Sequence, residues 1–474
     1  MDEQDQLRQY NEEAEQYRDR GDLPAAKRCY EQGLVICKAL AEQYDTDDWH
    51  GELAAQLGRL GDVCSEMGDY PEARRYYEDS LALCSDMVEQ NDTIANRRDL
   101  LCSLGCMGMI FELEGDYEQA LLYYERALEL GRWLAEREPD TERDVLIYLL
   151  KSGSIYEACS KFETARERVD EALRLSRRLY EEHSSPDCQR DLSITLSKAG
   201  DLSAIACDNK SARRYYEEAL EIAEQLEEER TTIDTLRDLS IGYGKMGDLC
   251  SDENDSRAAR AYYEKCLKLC KRLAEKLQTP DSYAEYSFAM QRLGDLCEQS
   301  HDYLGAKQYY EYSLAIDQKV AEQMNNAFSR QGLANSLDRM GGIYKTLGDL
   351  KSARRYYQKF LSVSEQLMKE LNTADMQRLH SIALERMGDL YRAENNHRMA
   401  RSYYERVLKI REELADGHPC AQYFDDAAEA LSALSNEMLI LANEIWMSLY
   451  QQTGSKRYLD KTLFADGIQE ILNE

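Results

Sequence analysis

Positively charged side chains recur at regular spacing along this acidic chain. The last six of the seven follow one another at intervals of 47 residues, and the first lies 92 residues before the second. They are Arg59, Lys151, Lys198, Lys245, Arg292, Arg339 and Arg386. Such a row can hold the carboxylates of an acidic peptide or of a chain terminus. An alternative stays open, because an aspartate follows five of these cations by three residues. Pairs of these cations and aspartates, within or between repeats, would neutralise the row and help to set the register of stacking.

A group of apolar residues is the second candidate for a binding surface. Its members take places that are polar elsewhere in the repeating pattern described below. They are Met109, Leu113, Ile147, Leu150, Ala158, Ala204 and Ile205. An exposed apolar patch on a protein usually marks a partner site, which favours a protein or peptide ligand here. The alternative is that an irregular junction between repeats buries these side chains.

Catalytic chemistry has no support in the residue pattern. The sequence contains no GxxxxGK[ST] phosphate loop, no HExxH zinc motif and no GxSxG nucleophile elbow. The six histidines are scattered, and His301 and His397 are predicted to be solvated residues of turns. The sequence therefore predicts a protein that is not an enzyme and that carries no cofactor and no metal.

A nine-residue pattern accounts for the regular spacing. ARRYYEDSL at 73–81 recurs in nine copies, and each copy begins with an alanine, which we number position 20 of its repeat. The alanines of repeats 1 to 9 are Ala26, Ala73, Ala120, Ala165, Ala212, Ala259, Ala306, Ala353 and Ala400. Position 8 is glycine in eight repeats, position 24 is tyrosine in eight, and position 28 is leucine in all nine. Apolar spacing on both sides of a turn predicts a helix A, a tight turn and a helix B of roughly 20 residues each.

One copy departs from the pattern. ARERVDEAL at 165–173 lacks the tyrosine pair, and its alanine follows the preceding one by 45 residues instead of 47. The apolar group lies beside this irregular copy, in repeats 3 to 5. We therefore expect the partner site to lie where the regular frame is interrupted.

The end of the chain follows a different pattern. Residues 426–450 are predicted to form one helix, and a second helix is predicted at about 456–473. The first of these would carry an apolar stripe formed by Leu431, Leu434, Met438, Leu441, Ile445 and Leu449. We expect residues 1–424 to form a repeat array and residues 425–474 to cap it, because the last repeat of an array needs a partner on one face and water on the other.

Composition limits the partners and the compartment. With 59 basic and 90 acidic residues, the net charge is −31, which opposes binding to nucleic acid or to an anionic membrane surface. Several of the 14 cysteines recur at equivalent helical positions, which indicates use as small packing residues in a reducing compartment. With a polar N-terminus and no apolar span, the sequence predicts a cytoplasmic protein.

The repeat resembles the tetratricopeptide repeat (TPR) family. The match is best in SLDRMGGIYKTLGDLKSARRYYQKFL at 336–361, where Gly341, Tyr344, Ala353, Tyr357 and Phe360 follow the family's order. The period of 47 residues exceeds the family's 34. This long-helix form resembles the TPR arrays of bacterial STAND-type NTPases and related defence or signalling proteins. The resemblance implies an all-α, right-handed superhelix of nine repeats whose helices A line a concave groove.

The resemblance also implies a function. We expect a scaffold, adaptor or sensor that binds a protein or peptide partner in the concave groove, with a possible role in bacterial defence or signalling. Two alternatives stay open, which are a regulatory receptor for a short signalling peptide and a regulatory subunit of a protease or hydrolase complex. The sequence does not set the oligomeric state.

Overall fold

The structure, a computed structural model, describes residues 3–324, 326–417 and 426–440, together with Met447. Within these ranges the chain forms helices joined by short turns, in nine consecutive helix A and helix B pairs. Helices A are α1 (Glu3–Asp19), α3 (Asp47–Glu66), α5 (Ile94–Glu114), α7 (Glu142–Ala158), α9 (Pro186–Ile205), α11 (Ile233–Asp252), α13 (Pro280–Gln299), α15 (Ala327–Thr346) and α17 (Ala374–Ala393). Helices B are α2 (Leu23–Tyr44), α4 (Tyr70–Gln90), α6 (Tyr117–Ala135), α8 (Phe162–His183), α10 (Asn209–Glu229), α12 (Ser256–Leu277), α14 (Tyr303–Met324), α16 (Leu350–Leu371) and α18 (His397–Gly417). The predicted fold class, an all-α array of TPR-type helical repeats, is confirmed.

Residues 426–440 are also helical, and we call this segment α19. The rest of the predicted capping pair, including the helix at 456–473, lies outside the described residues. His397, expected to be a solvated turn residue, instead lies with its Nδ1 2.8 Å from the Oε2 atom of Glu437 on α19. Glu437 is fully buried and also accepts a hydrogen bond from Arg392 at 2.6 Å. These contacts hold α19 against the ninth repeat.

The turn between helix A and helix B has a fixed chemistry. The glycine of the GD turns takes positive φ, for example +80° at Gly68 and Gly348, which ends helix A. The following aspartate caps helix B, since the side chains of Asp69 and Asp349 accept from the backbone N–H three residues later. The predicted turn positions are therefore the observed ones.

In most repeats the two helices are held together by a ring packed on a glycine, whereas repeat 4 has Val169 against Gly153. The position 24 tyrosine, such as Tyr77, is fully buried against the position 8 glycine, here Gly61. A Cβ atom on Gly61 would lie well inside van der Waals contact with the Tyr77 ring. The phenol donates to the Oδ1 atom of Asp62, at 2.7 Å. Helix A therefore needs glycine at this position, so that the ring of helix B can approach its backbone.

The chain forms two compact units, Met1–Leu296 with Lys319–Ser329, and Cys297–Gln318 with Arg330–Glu474. The core of the first unit includes Tyr30, Tyr77 and Ile110. Tyr357 and Met387 pack together in the core of the second. The expected division at residue 424 stays a prediction.

Two surveys of the described residues bear on the chemistry of the chain. No helix there is both apolar enough and long enough to cross a membrane. The thirteen cysteines in this part of the chain form no disulfide bond with one another. Those predicted to be packing residues are buried, namely Cys37, Cys64, Cys84, Cys250, Cys270 and Cys297.

Candidate functional site

The cations of helix A form ion pairs between repeats. Lys245 on α11 lies 2.5 Å from the carboxylate of Asp201 on α9, and Arg292 on α13 lies 2.7 Å from Asp248 on α11. The other measured pairs are Lys151–Glu112 at 3.1 Å, Lys198–Glu157 at 2.7 Å and Arg386–Asp338 at 2.9 Å. In each case the carboxylate belongs to helix A of the preceding repeat. Six cations are therefore paired with carboxylates, since Arg59 pairs with Glu52 of its own helix at 2.9 Å. Arg339 occupies the equivalent place on α15.

Three of these carboxylates, those of Glu112, Asp201 and Asp248, also accept from the position 24 tyrosine of their own repeat. Tyr263 donates to Asp248 at 2.8 Å, and Arg292 reaches the second oxygen of the same carboxylate. Burial raises the pKa of the Asp248 carboxyl above its ordinary value, and the Arg292 guanidinium opposes this rise. The arrangement ties helix B of one repeat, helix A of the same repeat and helix A of the next. The sequence left open whether such pairs form within or between repeats, and Lys245 and Arg292 each meet the position 9 aspartate of the preceding repeat.

A second row of ion pairs lies two turns earlier on helices A. Arg143 pairs with Asp191 at 2.7 Å, and Arg190 pairs with Asp238 at 2.5 Å. Arg237 pairs with Glu285 at 2.7 Å in the same way. In each pair, the arginine on helix A of one repeat bonds a carboxylate near the start of helix A in the next repeat. The recurrent RD dipeptide at 190–191 and 237–238 was its signal in the sequence.

An apolar row lies between the two rows of ion pairs. It consists of Ile147, Ile194, Ile241 and Phe288, with exposed fractions of 45%, 42%, 47% and 50%. Each member lies one helical turn before a cation of the first row, at position 2 of its repeat. The Arg292 guanidinium also lies over the Phe288 ring, 4.7 Å from its centre. We call these four side chains the helix A row. The sequence prediction included Ile147 alone, although Ile194, Ile241 and Phe288 follow it at successive intervals of 47 residues.

The predicted apolar group does not form one patch. Leu113 and Ile205 are exposed, as Ile147 is. Met109 and Leu150 are partly buried and pack against core clusters. Ile205 lies apart from the helix A row, in a cavity that also touches Phe162 and Tyr215.

The described residues offer little for catalysis or metal binding. They contain no group of three or more histidine, cysteine or acidic side chains placed to hold a metal ion. His380 approaches a serine hydroxyl, with its Nδ1 3.3 Å from Ser364 Oγ, but both side chains are buried in the repeat core. Burial lowers the pKa of His380, which favours its neutral form. This pair is consistent with packing, because a nucleophile must be reachable by its substrate.

The comparisons with known proteins agree with this geometry. One family model, described as tetratricopeptide repeat, matches residues 56–87, 103–138 and 383–417. A second model with the same description matches residues 242–272 and 334–367. No curated protein is significantly similar to the chain.

Three solved structures are similar to parts of this chain at low sequence identity. BtubC (BKLC) from P. vanneervenii is 20% identical over 54% of this chain and 92% of its own, with a TM-score of 0.43. A Rap protein complexed with Competence and Sporulation Factor is 16% identical over 87% of this chain and 98% of its own, with a TM-score of 0.48. The apo form of RapI is 14% identical over 67% of this chain and 99% of its own, with a TM-score of 0.47. The matched segments and their glycine–tyrosine packing identify the repeats of this chain as tetratricopeptide repeats.

Proposed function

We propose that this protein is a non-enzymatic scaffold that binds a peptide segment of a partner protein along the helix A row. The observation that carries the proposal is the row itself, four exposed apolar side chains from four consecutive repeats. In the TPR family helices A line a concave groove, so these side chains would face a ligand together. Burying an apolar side chain of this size contributes roughly 1.5–3 kcal/mol, so a few anchors provide useful affinity.

The flanking cations are assigned a different role. Since Lys198, Lys245 and Arg292 are already paired with carboxylates, they have little free charge with which to hold an acidic ligand. Partly exposed ion pairs of this kind contribute specificity and orientation more than affinity. The apolar row therefore supplies the anchors, and the two rows of ion pairs border the peptide on both sides.

The finer role rests on the resemblance alone. A place in bacterial defence or signalling, and a cytoplasmic location, are what the long-helix repeat implies. A receptor for a signalling peptide would use the same row, whereas a subunit of a hydrolase complex would bind a folded partner. The net charge of −31 favours protein partners over nucleic acid or anionic membranes in each case.

The proposal is tested by selecting binders from a random peptide display library with the full chain. The selected peptides are then measured by calorimetry against the double variant Ile194→Asp/Ile241→Asp. We expect the affinity to fall about thirtyfold, because two central anchors would become charged. The control is Val35→Asp, since Val35 on α2 is 70% exposed outside the row. Unchanged affinity in the double variant, or an equal loss in the control, would contradict the proposal.

A further inference from the structure

A three-layer stack joins neighbouring repeats at a second place, near the turn between helix A and helix B. In repeat 3, Arg74 of the preceding helix B lies over the Phe111 ring, 5.7 Å from its centre. Phe111 in turn stacks on Tyr123, with ring centres 5.5 Å apart. The middle ring comes from position 11 of helix A and the outer ring from position 23 of helix B.

The same stack recurs in repeats 8 and 9. Lys307 lies 4.9 Å from the centre of the Tyr344 ring, which stacks on Tyr356 at 5.4 Å. In repeat 9 the corresponding stack is Arg354, Tyr391 and Tyr403, at 4.7 and 5.4 Å. An aromatic ring between a cation and a tyrosine is therefore a recurrent filling of this space.

Repeat 5 has both outer layers and lacks the middle one. Arg166 occupies the cation position and Tyr215 the outer ring position, but position 11 is Ser203. The Ser203 hydroxyl turns back to its own helix and donates to the carbonyl of Ala199 at 2.9 Å. Arg166 and Tyr215 both line a cavity of 360 Å³, and the Arg214 guanidinium lies over the Tyr215 ring, 4.9 Å from its centre. The apolar lining of the cavity comprises Phe162, Val169, Ala199, Leu202, Ile205 and Ala206.

Three other repeats also have a small residue at position 11, but there the space is closed. Cys64, Cys250 and Cys297 are fully buried, whereas Ser203 is half-exposed. Arg213 covers Cys250, with its nitrogen 3.7 Å from the sulfur, while it also pairs with a glutamate. Among the described residues Arg166 makes no ion pair within 4 Å, although its charge acts on the Asp208 carboxylate.

We propose that the cavity of repeat 5 binds one aromatic side chain, phenylalanine or tyrosine, presented by a partner peptide. The guest ring would take the place that Phe111, Tyr344 and Tyr391 hold in their own repeats, between a guanidinium and a tyrosine face. The cavity volume lies within the range of roughly 300–1,000 Å³ that is usual for ligand sites. Glu163 and Asp170 balance Arg166 and Arg214 in the lining, so an uncharged guest fits better than an anion.

This site is separate from the helix A row. Its lining comes from α8, α10 and the end of α9, and the cavity contacts no member of that row. It would therefore add a second point of attachment for a partner, and its failure would leave the proposed scaffold function untouched.

The probe for the test is N-acetyl-L-phenylalanine amide, added to the full chain and followed by ligand-observed NMR. We expect saturable binding that Ser203→Tyr abolishes, because the new ring fills the gap. N-acetyl-L-leucine amide should bind about fivefold more weakly, since it cannot stack. Binding that survives Ser203→Tyr, equal binding of the leucine amide, or no binding of the phenylalanine amide would overturn the proposal.

A matched pair of arginine variants keeps the test valid if Ser203→Tyr does not fold. Arg166→Ala should weaken binding about threefold by removing the cation, whereas Arg174→Ala, an exposed arginine later on α8, should leave it unchanged. Equal effects of the two variants would contradict the assignment of Arg166.

Discussion

Repeats 5 and 8 contain the same six residues, SARRYY, at the start of helix B, yet they present different surfaces. In both, the first arginine of the motif pairs with a glutamate at the end of the next helix A, through Arg213–Glu253 and Arg354–Glu394. In repeat 8, Tyr356 is covered by Tyr344, whereas in repeat 5 the equivalent Tyr215 lies beneath Arg214 and lines an open cavity together with Ser203. The same six residues therefore border a filled space in repeat 8 and an open one in repeat 5, according to the residue at position 11 of helix A.

The comparison separates two layers of the structure. The ring of position 24 and the glycine of position 8 pack alike in both repeats, since Tyr216 lies on Gly200 and Tyr357 on Gly341. This inner layer holds each pair together and varies little. The outer layer, which contains positions 11 and 23, is where the repeats differ and where a ligand could enter.

The largest expected effect concerns the inner layer. Gly200→Ala and Gly341→Ala should each lower the free energy of unfolding by about 3 kcal/mol, because a Cβ atom would overlap the buried tyrosine ring. The measurement is chemical denaturation followed by circular dichroism. Gly58→Ala is the control, since no atom lies near its Cβ position, and it should stabilise helix α3 by up to about 1 kcal/mol. Equal responses of Gly58→Ala and Gly200→Ala would show that the inner layer is not tightly packed.

A cysteine at position 11 of repeat 5, beside the open cavity, should react with alkylating reagents faster than the natural cysteines at position 11 of other repeats. Burial raises the pKa of the Cys64 thiol to about 11, so it carries about a hundredfold less thiolate near pH 8 than an ordinary cysteine. Ser203→Cys should therefore react with iodoacetamide about a hundredfold faster than Cys64, since the thiolate is the nucleophile. Mass spectrometry of peptides after timed alkylation gives both rates, with the exposed Cys207 as an internal reference. If Ser203→Cys and Cys64 react equally slowly, the slot of repeat 5 is closed.

Removing the middle ring of the stack in repeat 8 should destabilise the protein. Tyr344→Ala deletes a half-buried ring from between Lys307 and Tyr356, which should cost about 2 kcal/mol in the free energy of unfolding. The same variant should also bind N-acetyl-L-phenylalanine amide at a new site, because it opens the slot that repeat 5 leaves open. If the variant loses stability but does not bind the phenylalanine amide, open space between the cation and the tyrosine is insufficient for binding.

The smallest effect is expected from the reverse change in repeat 5. Ser203→Tyr should raise the free energy of unfolding by about 1 kcal/mol, because the new ring would be covered by Arg166 and Tyr215 as Tyr344 is covered in repeat 8. Denaturation measured beside the wild type gives the difference, and Ser203→Thr, which adds little surface, is the control. A loss of stability would mean that the two outer layers are not spaced for a ring.

Sequence reasoning went far for the fold and less far for the surface. The repeat boundaries, the GD turns and the glycine–tyrosine pairs followed from the spacing of residues within one repeat. Of the helix A row, the sequence prediction included Ile147 alone, because the predicted patch was centred on the irregular copy at 165–173. Ile194, Ile241 and Phe288 take the same position in the next three repeats. Leu150 and Met109 were grouped with exposed residues, yet they pack on core clusters, since a register position does not state how far a neighbouring repeat covers a side chain.

The amino-acid sequence by itself determined the architecture, because helix formation, capping and ring-on-glycine packing are decided by residues within about 20 positions of one another. The tertiary structure alone decided which carboxylate each cation meets, since Lys245 finds Asp201 of the preceding repeat although Asp248 lies three residues away on its own helix. It also decided that position 11 is filled in repeat 8 and open in repeat 5, because that space is bounded by side chains from two repeats. Contacts within a repeat follow from its period, whereas contacts between repeats depend on the volumes and charges of both partners.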